Sequence, residues 1–190
     1  MVRKIKALPS RAVWLFEDET ILRLLPEIRR AWSPRGEQVR IPITGRNAKC
    51  VLFGALNPRT GHRIVGRGPN MRQQYFQSFL RRLRRSWPGR PIWLLLDKAS
   101  CHTTRGSVAL AKSLDIGLIW LPKQWSELNA MDQLWKDLKA AISANFQYKS
   151  IAQHADFAER WVFSLSRTEA LRKASILSKD FWLRAFLPKL

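Results

Sequence analysis

Residues 93–102 read WLLLDKASCH, and residues 116–139 read IGLIWLPKQWSELNAMDQLWKDLK. Trp93 to Leu96 are apolar at every position, the pattern of a strand covered on both faces, and Asp97 falls where that strand leaves the sheet. A carboxylate there is near solvent and rigidly held. Asp132 lies 35 positions further on (132 − 97), so 34 residues separate the two acids. The chain between them reads as one helix, Thr103 to Leu114, one strand, Ile116 to Leu121, and a Pro-bounded loop. Such a path can return the second acid to the first.

Composition limits what such a pair does. A chain of 190 residues usually makes one domain with a substantial core, and 46% apolar content with nine Trp excludes general disorder. With 34 Lys and Arg against 14 Asp and Glu, the formal charge is +20 and the pI about 11.3, so a polyanionic partner is the first expectation and a merely soluble basic surface the alternative. Cys50 and Cys101 stand apart, without CxxC or Cys/His ligand spacing, which indicates neither a disulfide framework nor a zinc site. No apolar run approaches a membrane span, and Met1 to Arg11 lack the apolar stretch of a signal peptide. A cytoplasmic protein without a membrane partner is expected.

The basic segment at residues 1–12 is too short to fold alone. Ala12 to Phe16 read as a buried strand running into Glu17, Asp18 and Glu19. Negative charge gathered at a strand end is costly unless cations bind there; the alternative is an exposed acidic turn. Pleat parity puts Asp18 on one side and its two neighbours on the other. Pro26, Pro34, Gly36, Pro42 and Gly45 break up the next stretch, where Trp32 and Arg35 are either substrate contacts or, as ordinary burial habits favour, a packed Trp beside a solvated Arg. Lys49 to Leu56 form a strand, and after the turn Asn57 to Gly61, His62 to Gly66 pair back as a hairpin. Gly54 and Gly66 mark a bulge or a close backbone approach, because no glycine-rich nucleotide fingerprint is present.

Met71 to Trp87 make a helix with Tyr75, Phe76, Phe79, Leu80, Leu83 and Trp87 as its apolar stripe. Arg81, Arg82, Arg84 and Arg85 crowd its last turns, with Arg90 beyond, either as a phosphate-binding patch or as a solvated face suited to the helix dipole. Asn129 is a good N-cap, with Asp132 at the third position of the following helix, where an acid also complements the dipole. Met131, Leu134, Trp135, Leu138 and Ile142 form that helix's apolar face. A covering helix follows over Ile151 to Leu165, and residues 167–190 are a helical tail, packed or partner-binding. The order is strand, hairpin, helix, strand, helix, strand, helix, with carboxylates at the ends of two strands and the start of a helix.

In that order the segments WLFEDET, RAWSPRGEQV, VLFGALNPRTGHRI, WLLLDKASCH and IWLPKQWSELNAMDQLWKDLK resemble the catalytic domain of the mariner-related bacterial insertion-sequence transposases of the DDE group. The resemblance implies an α/β, ribonuclease H-like fold over residues 13–166, a central mixed five-stranded sheet flanked by helices. It implies Asp18, Asp97 and Asp132 as catalytic metal ligands, with His102 and Asn129 in supporting roles. Carboxylates suit Mg²⁺ or Mn²⁺, and two such ions about 4 Å apart activate a water or 3′-hydroxyl on one side of a phosphate while steadying the leaving oxygen on the other. DNA cleavage and strand transfer in transposition are the implied reaction, with transposon ends and target as substrates. Arg81, Arg82, Arg84, Arg85, Lys98 and Lys123 are then candidate DNA contacts, and a homodimer a candidate assembly.

The chain departs from the family pattern at three places. Lys98 replaces the usual Asn after the central Asp and either contacts phosphate or competes with metal for Asp97. Ala130 and Asp132 stand where Pro and Glu are usual, so the shorter Asp needs a small helix shift to recover its reach. About a dozen residues precede the first strand, so the helix-turn-helix that finds element ends is expected to be missing or encoded by another chain. Two other readings stay open: an inactive or co-opted transposase fragment, and a non-catalytic basic nucleic-acid-binding protein.

Overall fold

Alternation along the first strand, β1 (Val13–Arg23), divides the molecule into two cores. The structure is a computed structural model describing residues 2–122 and 125–187. Trp14, Phe16 and Leu22 point to one face and Val13 and Leu15 to the other, as a period of two requires. β2 (Lys49–Leu56) pairs antiparallel with β1, and β3 (Arg63–Gly68) antiparallel with β2. On the other side of β1, β4 (Ile92–Leu96) and β5 (Ile116–Trp120) add in parallel. The result is a five-stranded mixed sheet in the order β3-β2-β1-β4-β5, with helices on both faces.

Before the sheet lies α1 (Val2–Lys6), whose Ile5 is buried in the core. α2 (Gln73–Ser86) lays Phe76, Phe79, Leu80 and Leu83 against Val13 and Leu15, the centre of the stripe read from the sequence. The helix expected over Thr103 to Leu114 is two pieces, α3 (Ser100–Thr103) and α4 (Arg105–Ser113). Thr104 adopts an extended conformation between them, and its Oγ1 accepts from Ser107 N at 3.1 Å, so a local cap breaks the helix. The opposite face is covered by α5 (Ala130–Ile142), α6 (Ile151–Ser164) and α7 (Arg167–Lys173). Leu171, Ala174, Ile176 and Leu183 join this core, so the described part of the tail, to Leu187, is packed rather than projecting.

Two expectations need correction. The acids are not at the end of β1 but in its middle, because β1 stays paired with β2 from Phe16↔Leu56 to Arg23↔Lys49. Its pairing with β4 stops earlier, at Phe16↔Leu95, so the acids lie where one neighbour has ended and the other continues. Trp32 is fully exposed rather than packed, and Arg35 is exposed too. The stretch around them carries no helix or strand and is tied down at its ends, by Arg29 to Asn145 and by Thr44 to Gln147. Gly54 and Gly66 lie in unbroken register, so they mark close approach, not bulges. A Cβ on Gly66 would meet Phe79 at 2.9 Å, and one on Gly54 would meet Trp135 at 2.3 Å.

Candidate active site

Parallel strands that part company leave a notch beyond their last pair, and β1 and β4 do so with an acid on each, β4 ending there while β1 runs on beside β2. Their last pair is Phe16↔Leu95, and Asp18 and Asp97 are each the second residue beyond it. Continuing the register sets the two residues level across the notch. Asp18 is also opposite Gly54 in β2, on the face covered by α5. Because Gly54 has no side chain, Met131 and Trp135 rest directly on the sheet beside Asp18. Trp135 Nε1 donates to the Asp18 carbonyl at 3.4 Å. Asp132 precedes Trp135 by one helical step of three, so it is carried over the same notch.

Asn129 fixes the approach of α5. Its Oδ1 accepts from Met131 N at 3.1 Å, capping the helix, and its Nδ2 donates to the Glu17 carbonyl at 2.8 Å. One buried side chain thus joins the start of α5 to β1. Asp132 does not turn back to complete a capping box. Its carboxylate meets Lys136 Nζ at 2.8 Å, one turn along.

On the other face of β1 lies a second constellation that sequence reading had separated from the first only by parity. His102 is fully buried against Phe76. Its Nδ1 donates to Asp97 Oδ1 at 3.0 Å, and its Nε2 faces Glu19 Oε1 at 2.7 Å and Glu17 Oε2 at 3.5 Å. Cys101 Sγ donates to Glu19 Oε1 at 3.6 Å. Glu17, Glu19 and Cys101 were not singled out as site residues. The available signal was the alternation that puts residues 17 and 19 together, and a histidine five positions after Asp97.

The electrostatics follow from crowding. Burial first, then the charges of Glu19, Asp132 and Asp97, push the Asp18 carboxyl up from 3.8 to about 8. Glu17 is raised well above the carboxylate range by burial and by Glu19. Burial opposes a charged His102 ring, but Glu17 and the hydrogen bonds with Asp97, Cys101 and Glu19 outweigh it and hold the ring well above the histidine range. Asp97 is lowered, first by its bond from His102, then by the Ala99 backbone N–H at 2.9 Å.

Of the three predicted acids, Asp18 thus feels the charges of both Asp132 and Asp97. The three are not a closed ligand set: among the described residues, the trio whose ligand atoms lie within 4.8 Å of one another is Glu19, Cys101 and His102. Like charges without a cation repel, and Asp97 and Asp132 are turned to His102 and Lys136. The donor chemistry nevertheless fits hard divalent ions, since the accumulated charge that raises Asp18 is what such an ion offsets.

The candidate DNA contacts divide. Lys98 is exposed beside Asp97, and Lys123 lies outside the described residues. Arg81, Arg82 and Arg85 are exposed, but Arg84 departs from expectation. Its guanidinium donates to the carbonyls of Leu114 at 3.1 Å, Arg90 at 2.5 Å and Trp87, joining the segments that enter β4 and β5. The α2 cluster thus sits at the end of the sheet where β4 begins, away from Asp97, because α2 returns the chain antiparallel to that strand.

Comparison with known proteins agrees with this fold. Residues 13–153 match the family described as DDE superfamily endonuclease. The chain is 31% identical over 140 residues to the insertion element IS630 uncharacterized 39 kDa protein of Shigella sonnei, an alignment covering 73% of this chain and 41% of that one. The chain thus spans less than half the length of that relative. Among solved structures, the Mos1 transposase paired-end complex with the left transposon end superposes with a TM-score of 0.70 at 16% identity, covering 95% of this chain and 56% of that one. The catalytic domain of Mos1 mariner transposase gives 0.63 at 15%, covering 93% and 82%. The Mos1 mariner paired-end complex with Mn gives 0.69 at 17%, covering 95% and 56%. Those likenesses establish a ribonuclease H-like fold, and the family match over three quarters of the sequence establishes more: the chain belongs to the DDE superfamily of endonucleases.

Proposed function

We propose that this chain cleaves DNA strands and transfers them in transposition, with Asp18, Asp97 and Asp132 holding two Mg²⁺ or Mn²⁺ ions. The observation that carries the reading is the register that sets Asp18 and Asp97 level beyond Phe16↔Leu95, with α5 bringing Asp132 to the same notch. Bound ions of this kind activate a water or 3′-hydroxyl and stabilise the departing oxygen. The protein's part is placement. His102 fixes the Asp97 rotamer through Nδ1, Asn129 locks α5 to β1, and Lys98 offers a charge to a phosphate beside Asp97. DNA ends and target are the partners in this reading. Joining of two ends belongs to a homodimer in the same reading.

The test is nicking of supercoiled plasmid by the purified chain with Mg²⁺ or Mn²⁺. Nicking that falls by more than about a hundredfold in Asp97→Asn, with DNA binding retained, is the expected result, since lost charge stabilisation by a metal costs several kcal/mol of barrier. Equal nicking by the variant would remove these acids from the chemistry.

A further inference from the structure

Four side chains on the α2 face of the sheet carry an arrangement that DNA cleavage does not use. Glu17 is fully buried, and neither carboxylate oxygen has a hydrogen-bond partner. A buried carboxylate left so costs several kcal/mol unless something cationic meets it. Its Oε2 stands 3.5 Å from His102 Nε2. The same nitrogen is 2.7 Å from Glu19 Oε1, which in turn is 3.6 Å from Cys101 Sγ. Cys101, His102 and the Glu19 side chain are themselves buried. The His102 nitrogen, the Cys101 sulfur and a Glu19 oxygen thus lie within 4.8 Å of one another, near enough to close on one ion, and the Glu17 carboxylate faces the same nitrogen.

The far side of the ring completes the pattern. His102 Nδ1 donates to Asp97 Oδ1 at 3.0 Å and faces the Asp97 carbonyl at 3.2 Å. A ring whose outer nitrogen is held by a carboxylate presents the other in one orientation, as metal-bound histidines do. Thiolate and imidazole favour a softer ion than the oxygen-only notch on the opposite face.

We propose that Glu19, Cys101 and His102 form a zinc site behind the candidate active site, with the buried Glu17 carboxyl beside it and Asp97 as the outer partner of His102. Binding requires the Cys101 thiolate and the neutral Nε2 of His102, so metal uptake is coupled to loss of protons. Zinc there would hold His102, and through it Asp97, in place. The sequence concealed the site because its ligands come from two segments, Glu19 on β1 and Cys101 and His102 on α3, and show no Cys/His spacing.

The inference takes the placement of Asp97 from the proposed function but is read without DNA cleavage. The full chain is titrated with Co²⁺ in excess Mg²⁺ and followed by absorption. A thiolate-to-cobalt charge-transfer band is expected, displaced by Zn²⁺, lost in Cys101→Ser and kept in Cys50→Ser and Asp18→Asn. Asp97→Asn should weaken zinc binding by roughly 10–100-fold, the usual effect of removing an outer partner. Absence of the band in the unaltered chain, or its persistence in Cys101→Ser, would overturn the site. Loss of nicking with the band intact would defeat the proposed function alone.

Discussion

Trp135 rests on Gly54 so closely that a Cβ on that glycine would stand 2.3 Å from the indole and 2.4 Å from Met131. This contact sets the height of α5 above the sheet, and with it the position of Asp132 relative to Asp18. Gly54→Ala must therefore lift α5 or distort β2. Overpacking of this kind costs about 1–3 kcal/mol, visible as a lower melting temperature. Nicking should fall further than that loss of stability explains at temperatures where the variant is still folded, because Asp132 is displaced. Unchanged melting would show that α5 is not seated on Gly54.

Asn129 makes two bonds that no other residue duplicates, one capping α5 and one to the Glu17 carbonyl. Removal of a cap costs about 1 kcal/mol, and a buried carbonyl left unpaired about 1–3 kcal/mol. Asn129→Ala should lose the sum in denaturant unfolding. Asn129→Ser keeps a capping oxygen but is too short to reach Glu17, so it should recover only the smaller part. Equal losses in the two variants would mean that the cap contributes nothing.

The pH dependence of stability has a definite sign. Asp18 has its carboxyl raised from 3.8 to about 8, so the folded chain holds a proton there that the unfolded chain releases near pH 4. Stability from this group is complete below its unfolded value and is lost as pH rises through about 8. Glu17 and His102, also raised, act in the same direction over their own ranges. Without divalent ions, melting temperature should fall between about pH 5 and pH 8, and Asp18→Asn should flatten part of the slope. Mn²⁺ should stabilise more at the upper end, where it need not displace the Asp18 proton. A rise in melting temperature across this interval would contradict the charge coupling of the notch.

The strands and their order could be read in advance because each is a short apolar run between turn residues, as at Ile92–Leu96 and Ile116–Trp120. Parity alone correctly split Asp18 from Glu17 and Glu19. What could not be read was where β1 loses one neighbour and keeps the other, since pairing lengths depend on β2 and β4 together. Trp32 defeated a burial habit that holds on average and says nothing about a particular loop. Arg84 looked like its neighbours, yet its role depends on carbonyls 3, 6 and 30 residues away that only the fold brings near.

That difference between Arg84 and its neighbours can be measured. Arg81, Arg82 and Arg85 point outward, and each one that neutralises a DNA phosphate adds about 0.9 to the slope of log affinity against log salt. The triple change of these three to Gln should flatten that slope by up to about 3 units and leave the melting temperature nearly unaltered. Arg84→Gln should do the reverse: it removes donors from the carbonyls of Leu114, Trp87 and Arg90, lowering the melting temperature while keeping the salt slope. If the triple variant binds DNA with an unchanged slope, the α2 cluster is a solvated helix end, and the phosphate contacts lie on the Asp97 side of the sheet, beginning with Lys98.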